Sequence, residues 1–223
     1  MSLKGVKYGL YIATPVYGEE VNVSYMDSIV QLSKEFQKGG IASVRQHIMH
    51  TSLIVKARND SLSNFMNETE LDYFIFIDAD ISFNPLDVIK LMNHDKPLVA
   101  ATYPKKHLNW AEIHNCFVTD MPDTSKELIE KTSEYTIYHK KKKKLEKKYP
   151  ELMYKENGKK GYGFFETMIK RKEHLSEDYA FCERVKSVKE KVYIDASIEI
   201  IHHGGNIKFY GNYQNHLTYG NKK

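Results

Sequence analysis

The stretch 72–83, DYFIFIDADISF, decides the reading of this chain. Its apolar run is continuous, so 71–78, LDYFIFID, reads as a strand buried on both faces rather than on one. The strand ends on Asp78, and Asp80 follows one residue later. Asn84 and Pro85 then open a helix through Leu91, Asn as N-cap and Pro at the first helical position. With Asn84 in that role, the two carboxylates are left over for other chemistry.

On the N-terminal side, KYGLYIATPV (7–16) reads as a strand stopped by proline. VSYMDSIVQLSKEFQK (23–38) carries apolar residues at helical spacing before Gly39 and Gly40. ASVRQHIMH (42–50) reads as a second strand and SLIVKARNDSLSNFM (52–66) as a second helix. Beyond the acidic pair, KPLVAATY (96–103) supplies a fourth strand. Strands alternating with helices predict βαβ units and a mostly parallel sheet with helices on both faces. The second half is less regular: a polar stretch, a lysine run, a turn at Gly161 to Phe165, a helix from Ser176, and strands near 191–195 and 198–202.

The 223 residues, 41% apolar, suffice for one sizeable core or two small ones and are read as one domain. The net charge of +4 arises largely from HKKKKKLEKK at 139–148, so nucleic acid is not the expected partner. That run reads as a solvated helix or loop, with a patch for anionic lipid or polyanion as the alternative. Cys116 and Cys182 belong to no metal-binding or disulfide pattern, which points to a reducing compartment. YGLYIATPV is too short for a signal or a membrane span, so a cytoplasmic protein without a transmembrane segment is expected.

In an open parallel sheet, ligands bind beyond the carboxyl ends of the strands, where Asp78 and Asp80 fall. In an extended segment their side chains would point the same way and face one hard cation. Mg²⁺ or Mn²⁺ held by one or two carboxylates takes its other ligands from water and substrate phosphates, which implies a nucleotide.

At these residues the chain resembles glycosyltransferases of the GT-A fold, whose Asp-x-Asp motif ends a buried strand. The likeness is to the small glycosyltransferase domains of large DNA viruses and their bacterial relatives. It implies a single α/β domain over 1–223, with a nucleotide-binding half at 1–104 and an acceptor-side half at 105–223 that contains a lysine-rich insertion at about 125–160. The implied partners are a nucleotide-sugar donor, most simply a uridine diphosphate sugar, and a glycan or other hydroxyl acceptor.

Further stretches carry the resemblance. ATPVYG (13–18) is similar to the family's first-strand loop, where Thr14 and Pro15 would line the base and Tyr17 would stack on it. KARND (56–60) resembles its Ala-Arg-Asn helix segment and brings Arg58 near the nucleotide; as an ordinary helix residue, Arg58 would pair with Asp60 or solvent instead. Asp78, Ala79 and Asp80 would meet the nucleotide, Asp78 and Asp80 also the metal. SEDYAFC (176–182) resembles the Glu-Asp motif ahead of a helix, with Glu177 toward the sugar and Asp178 as general base of an inverting reaction. The same run is also an ordinary helix N-terminus. DASIEIIHHGG (195–205) resembles the late strand whose histidine completes the metal site, which leaves His202 and His203 as candidates. Lys105, Lys106 and Trp110 follow the fourth strand, and the resemblance sets Gly163 at the floor of the donor-sugar pocket; Lys105, Trp110 and Gly163 would thus face donor or acceptor sugar.

Three other functions fit parts of the sequence. A haloacid-dehalogenase-type phosphohydrolase also ends an apolar strand on Asp-x-Asp, though normally on its first strand. A non-catalytic nucleotide or glycan binding module would keep the acidic pair without needing Asp178. A nucleotidyltransferase would need a Gly-rich phosphate loop near the N-terminus, which the sequence lacks.

Overall fold

Strand β1 (Gly9–Pro15) is buried along its whole length, as a strand covered on both faces must be. The computed structural model describes residues 9–18, 20–48, 51–68, 71–102, 137–138, 142–204 and 207–211. Helix α1 (Val23–Gly39) follows, started by Asn22, whose side chain accepts from the Ser24 amide, and closed by Gly40 at φ 65°. A left-handed residue is needed there to end the helix, and glycine adopts it without a Cβ clash. Next come β2 (Ala42–Ile48), α2 (Ile54–Glu68) and β3 (Tyr73–Phe76). A short strand β4 (Ile81–Phe83) precedes α3 (Pro85–Asn93), which Asn84 caps through the Leu86 amide at 3.0 Å, with Pro85 in the first turn as expected.

The remaining strands of the main sheet are β5 (Leu98–Ala101), β6 (Ile137–Tyr138) and β11 (Tyr193–Asp195). Their order is β11-β5-β6-β3-β1-β2. β1 runs parallel to both β2 and β3, and β5 parallel to β11; only β6 is antiparallel. This is the mixed α/β domain with a mostly parallel sheet that the alternating pattern predicts.

Period-two geometry divides the sheet's side chains between two cores. Leu10, Ile12, Tyr73 and Ile75 pack with Ile29, Leu32 and Phe36 of α1 and Val88 and Leu91 of α3. Tyr11, Ala13, Phe74 and Phe76 face the other way, onto Leu62 and Phe65 of α2 and onto Phe181 and Val185 of α5 (Glu177–Ser187). Each of these large side chains contributes roughly 1.5–3 kcal/mol by leaving water. Because α1 and α2 cover opposite faces while β2 and β3 flank β1, the chain reverses its winding at β1 and β3. Their carboxyl ends open into a crevice at that switch point.

The second half is built of small antiparallel pieces. β7 (Met153–Glu156) pairs with β8 (Lys159–Tyr162), and β9 (Met168–Lys170) with β10 (Glu173–Leu175). β12 (Ile200–Gly204) lies between β4 and β13 (Ile207–Gly211) in a three-stranded sheet. The lysine-rich stretch forms helix α4 (Lys142–Lys148), with Lys144, Lys147 and Lys148 exposed. Leu145 of that helix is 1% exposed and belongs to the second core, so this part of the stretch covers the sheet as well as meeting solvent. Among the described residues, no helix is long and apolar enough to cross a membrane.

One local expectation is corrected. The strand carrying the acidic pair stops at Phe76, and Asp78 to Asp80 form a turn closed by the Ile81 amide on the Asp78 carbonyl at 3.1 Å. The two carboxylates therefore do not sit at i and i+2 of an extended segment, and they reach different partners.

Candidate functional site

A cleft of about 830 Å³ occupies the crevice at the carboxyl ends of β1 and β3. Pro15 at the end of β1 and Tyr17 and Glu20 beyond it line its wall, together with Val23 and Ile54 at the starts of α1 and α2, Thr51 and Ser52 ahead of α2, the acidic turn, and His202 and His203 of β12. The Asn22 amide donates to the Ala79 carbonyl at 2.9 Å, which fastens the head of α1 to the acidic turn.

Asp80 and His202 both line this cleft and approach each other, Oδ1 to Nε2 at 3.5 Å. The register explains the meeting: β12 runs antiparallel to β4 with His202 opposite Ile81, and the His203 amide donates to the Asp80 carbonyl at 2.9 Å. Adjacent residues of a strand point to opposite faces. His203, which also borders the cleft, is 6% exposed, and its Nε2 is 2.8 Å from the buried Ser82 hydroxyl. The structure thus distinguishes the two neighbouring histidines by what each one touches.

Asp78 lines the cleft as well, and Arg58, behind that wall, brings its Nη2 to 3.5 Å from the Asp78 Oδ1. The same guanidinium brings its Nε to 3.4 Å from Glu177 Oε1 and lies 4.8 Å over the Phe76 ring. Asp60, the sequence-level partner for Arg58, instead pairs with Lys56 at 3.1 Å. Asp178 follows Glu177 at the head of α5, and the Ser176 hydroxyl donates to its carboxylate.

The wall of the cleft is unusual in charge. Among the described residues lining it are three carboxylates, Glu20, Asp78 and Asp80, with two histidines and no lysine or arginine. Among the described residues no group of three or more His, Cys, Asp or Glu side chains is arranged to hold a metal alone. Asp80 and His202 offer an oxygen and a nitrogen donor.

Several sequence-predicted site residues lie elsewhere. Thr14 does not line the cleft: it is 1% exposed, and its hydroxyl is 2.6 Å from the Tyr25 hydroxyl. Burial pushes the Tyr25 phenol above its usual range, with the Thr14 hydrogen bond pulling against it. Gly163 does not line the cleft either; its amide donates to the Leu152 carbonyl at 2.8 Å, where an added Cβ would approach that oxygen to 3.2 Å. Pro15, Tyr17 and Ala79 do line it, and the Tyr17 ring is 84% exposed. Lys105, Lys106, Trp110 and Cys116 fall outside the described residues. Burial pushes the Cys182 thiol up to about 11, which keeps it protonated and poorly nucleophilic.

Sequence reasoning passed over Asn22, Glu20 and Ser82. Asn22 had a legible signal, an Asn just ahead of an amphipathic run. Glu20 and Ser82 had none.

No family model matches the chain, and no curated protein matches it significantly. Among solved structures it is similar to A197 from STIV, at 18% identity over 88% of this chain and 86% of that one, with a TM-score of 0.46. It is also similar to 4-diphosphocytidyl-2C-methyl-D-erythritol synthase from Anaerococcus prevotii DSM 20548, at 12% identity over 96% and 97% of the two chains, with a TM-score of 0.46. A third likeness is to a glycosyltransferase involved in the glycosylation of the major capsid of PBCV-1, at 11% identity over 83% and 81%, with a TM-score of 0.41.

Proposed function

We propose that this chain is a metal-dependent glycosyltransferase of the GT-A type, which moves a hexose from a nucleoside-diphosphate sugar, a uridine one, to a hydroxyl acceptor with inversion. The observation that carries the reading is the Asp80 and His202 pair, 3.5 Å apart in a switch-point cleft whose described wall holds carboxylates and no lysine or arginine.

A site of this kind would bind a diphosphate by sharing a divalent cation with it. Mn²⁺ or Mg²⁺ keeps several coordination positions for water and phosphate oxygens, so two protein donors are a sufficient set. Asp80 and His202 would hold the ion, which when bound offsets the negative charge that grows on the leaving diphosphate. The exposed Tyr17 ring at the mouth offers a stacking face for the base, with Pro15 beside it.

The remaining work falls to the protein. The acceptor oxygen forms its bond to the anomeric carbon as the bond from that carbon to the diphosphate oxygen breaks, through an oxocarbenium-like state. The acceptor's proton passes to the Asp178 carboxylate, which accepts a hydrogen bond from Ser176 and so has a preferred orientation.

Incubation with a panel of nucleotide-sugars and Mn²⁺, without added acceptor, tests the proposal. Slow transfer to water should release free sugar and the nucleoside diphosphate in equal amounts. Release of inorganic phosphate from a sugar phosphate, with a phosphorylated Asp78, would replace it with phosphohydrolase chemistry. Binding without any turnover would leave a nucleotide-binding module.

A further inference from the structure

Arg58 is almost fully enclosed, its side chain 5% exposed, and it is not part of the cleft wall. A buried cation needs paired acids, because removal from water is costly and mutual attraction is the main compensation. Arg58 has two, supplied by different parts of the chain: Asp78 from the acidic turn at 3.5 Å and Glu177 from the head of α5 at 3.4 Å. The side chains of these acids are 26% and 12% exposed, and the Phe76 ring closes one face of the guanidinium at 4.8 Å. The Asp78 contact is a hydrogen bond from Nη2, whereas the Nε approach to Glu177 is an ion pair rather than a hydrogen bond. The spread of the guanidinium charge over separate nitrogens lets it face both acids, where a lysine ammonium is a single point charge.

The neighbouring residue strengthens the same junction. Asn59 of α2 is 3% exposed; its amide oxygen accepts from the Phe165 amide at 2.9 Å, and its amide nitrogen donates to Glu166 at 2.8 Å. Arg184 of α5 also donates to the Phe164 carbonyl at 3.0 Å. One turn of α2 thereby grips the acidic turn, the 164–166 segment and the head of α5 together.

We propose that Arg58 is a positioning residue and not a phosphate ligand. It bridges Asp78 to Glu177 so that the donor cleft and the helix head bearing Asp178 keep a fixed relation. The bridge is a property of the folded chain; its consequence for turnover rests on the glycosyltransferase reading above.

A double-mutant cycle tests the bridge without reference to activity. Melting temperatures are measured for Asp78→Asn, Glu177→Gln and the double variant. If both acids act on one guanidinium, the two shifts should be clearly non-additive, and additivity should return in an Arg58→Met background. Additive shifts with Arg58 present would overturn the bridge. Should Arg58→Met fail to fold, Arg58→Lys keeps the charge and loses the fork, and in that background the coupling should shrink without vanishing; coupling of undiminished size would overturn the bridge.

The functional consequence is read on Glu177→Gln, a residue outside the cleft wall. Donor hydrolysis should fall about tenfold or more while uridine diphosphate affinity stays within about threefold, because the loss is one of geometry. Unchanged turnover would overturn the positioning role. So would an Arg58→Lys variant that loses affinity for uridine diphosphate while keeping that for uridine, since this assigns Arg58 to phosphate. If the native protein neither binds nor cleaves any nucleotide-sugar, the glycosyltransferase reading fails, and the thermal cycle still decides the bridge.

Discussion

The Asp80 carboxylate and the His202 imidazole meet at 3.5 Å because one short antiparallel pairing, β4 with β12, lays His202 opposite Ile81. The histidine arrives from far along the chain, and its neighbour His203, on the opposite face of the same strand, has its Nε2 engaged by Ser82.

That difference predicts opposite phenotypes for two adjacent alanine substitutions. His202→Ala should abolish metal-dependent nucleotide binding with little change in melting temperature. His203→Ala leaves the buried Ser82 hydroxyl without its 2.8 Å partner and should cost about 1–3 kcal/mol of stability. Calorimetric titration and thermal melts on both variants check the pair.

Asp178→Asn should lower transfer by about 10²–10⁴-fold while leaving donor affinity unchanged, if the carboxylate is the base. Asparagine still accepts the Ser176 hydroxyl, and it remains compatible with the start of a helix. Near-normal turnover with an identified acceptor would return Asp178 to a purely structural role and remove the support for inversion.

A pH-dependent prediction concerns Asp195, at the end of β11. Burial alone would raise its carboxyl, but hydrogen bonds from Ser197, His94 and Lys90 outweigh that and hold it well below the usual carboxylate range. The folded value is depressed, so the stabilisation is fully present above the unfolded value of about 3.9 and is lost as pH falls through the folded one. Asp195→Asn should therefore lower the melting temperature by several degrees near neutral pH. The gap to the native protein should narrow only in strongly acidic solution, and melts across pH for both proteins would show it. A gap independent of pH down to the acid limit would contradict the assignment.

The first hundred residues were legible because their elements are long and strongly patterned: the Tyr73 to Ile77 run, the Asn84-Pro85 helix start and the spacing in α1 each have one simple physical reading. The carboxyl-end position of the acidic pair followed from that order of strands. What the sequence hid was conveyed by short elements. β4 is three residues long and β6 two, too brief for any periodicity, yet β4 brings His202 to Asp80. The turn at Asp78 to Asp80 was equally hidden, since an apolar run does not say where extension stops. The sequence places Arg58 near the site, but a contact between α2 and the head of α5 has no local signature. Thr14 sits in an inviting loop, and only the packing of Tyr25 shows that its hydroxyl is taken.

The proposed site binds a nucleoside diphosphate through a divalent cation held by Asp80 and His202. Calorimetric titration of uridine diphosphate into the native protein, with Mn²⁺ and again with chelator, tests it most directly, with Asp80→Asn as the matched variant. Binding should be saturable with Mn²⁺, removed by chelator, and lost in Asp80→Asn while that variant still melts cooperatively. Equal affinity with and without metal, or undiminished metal-dependent binding by Asp80→Asn, would contradict it.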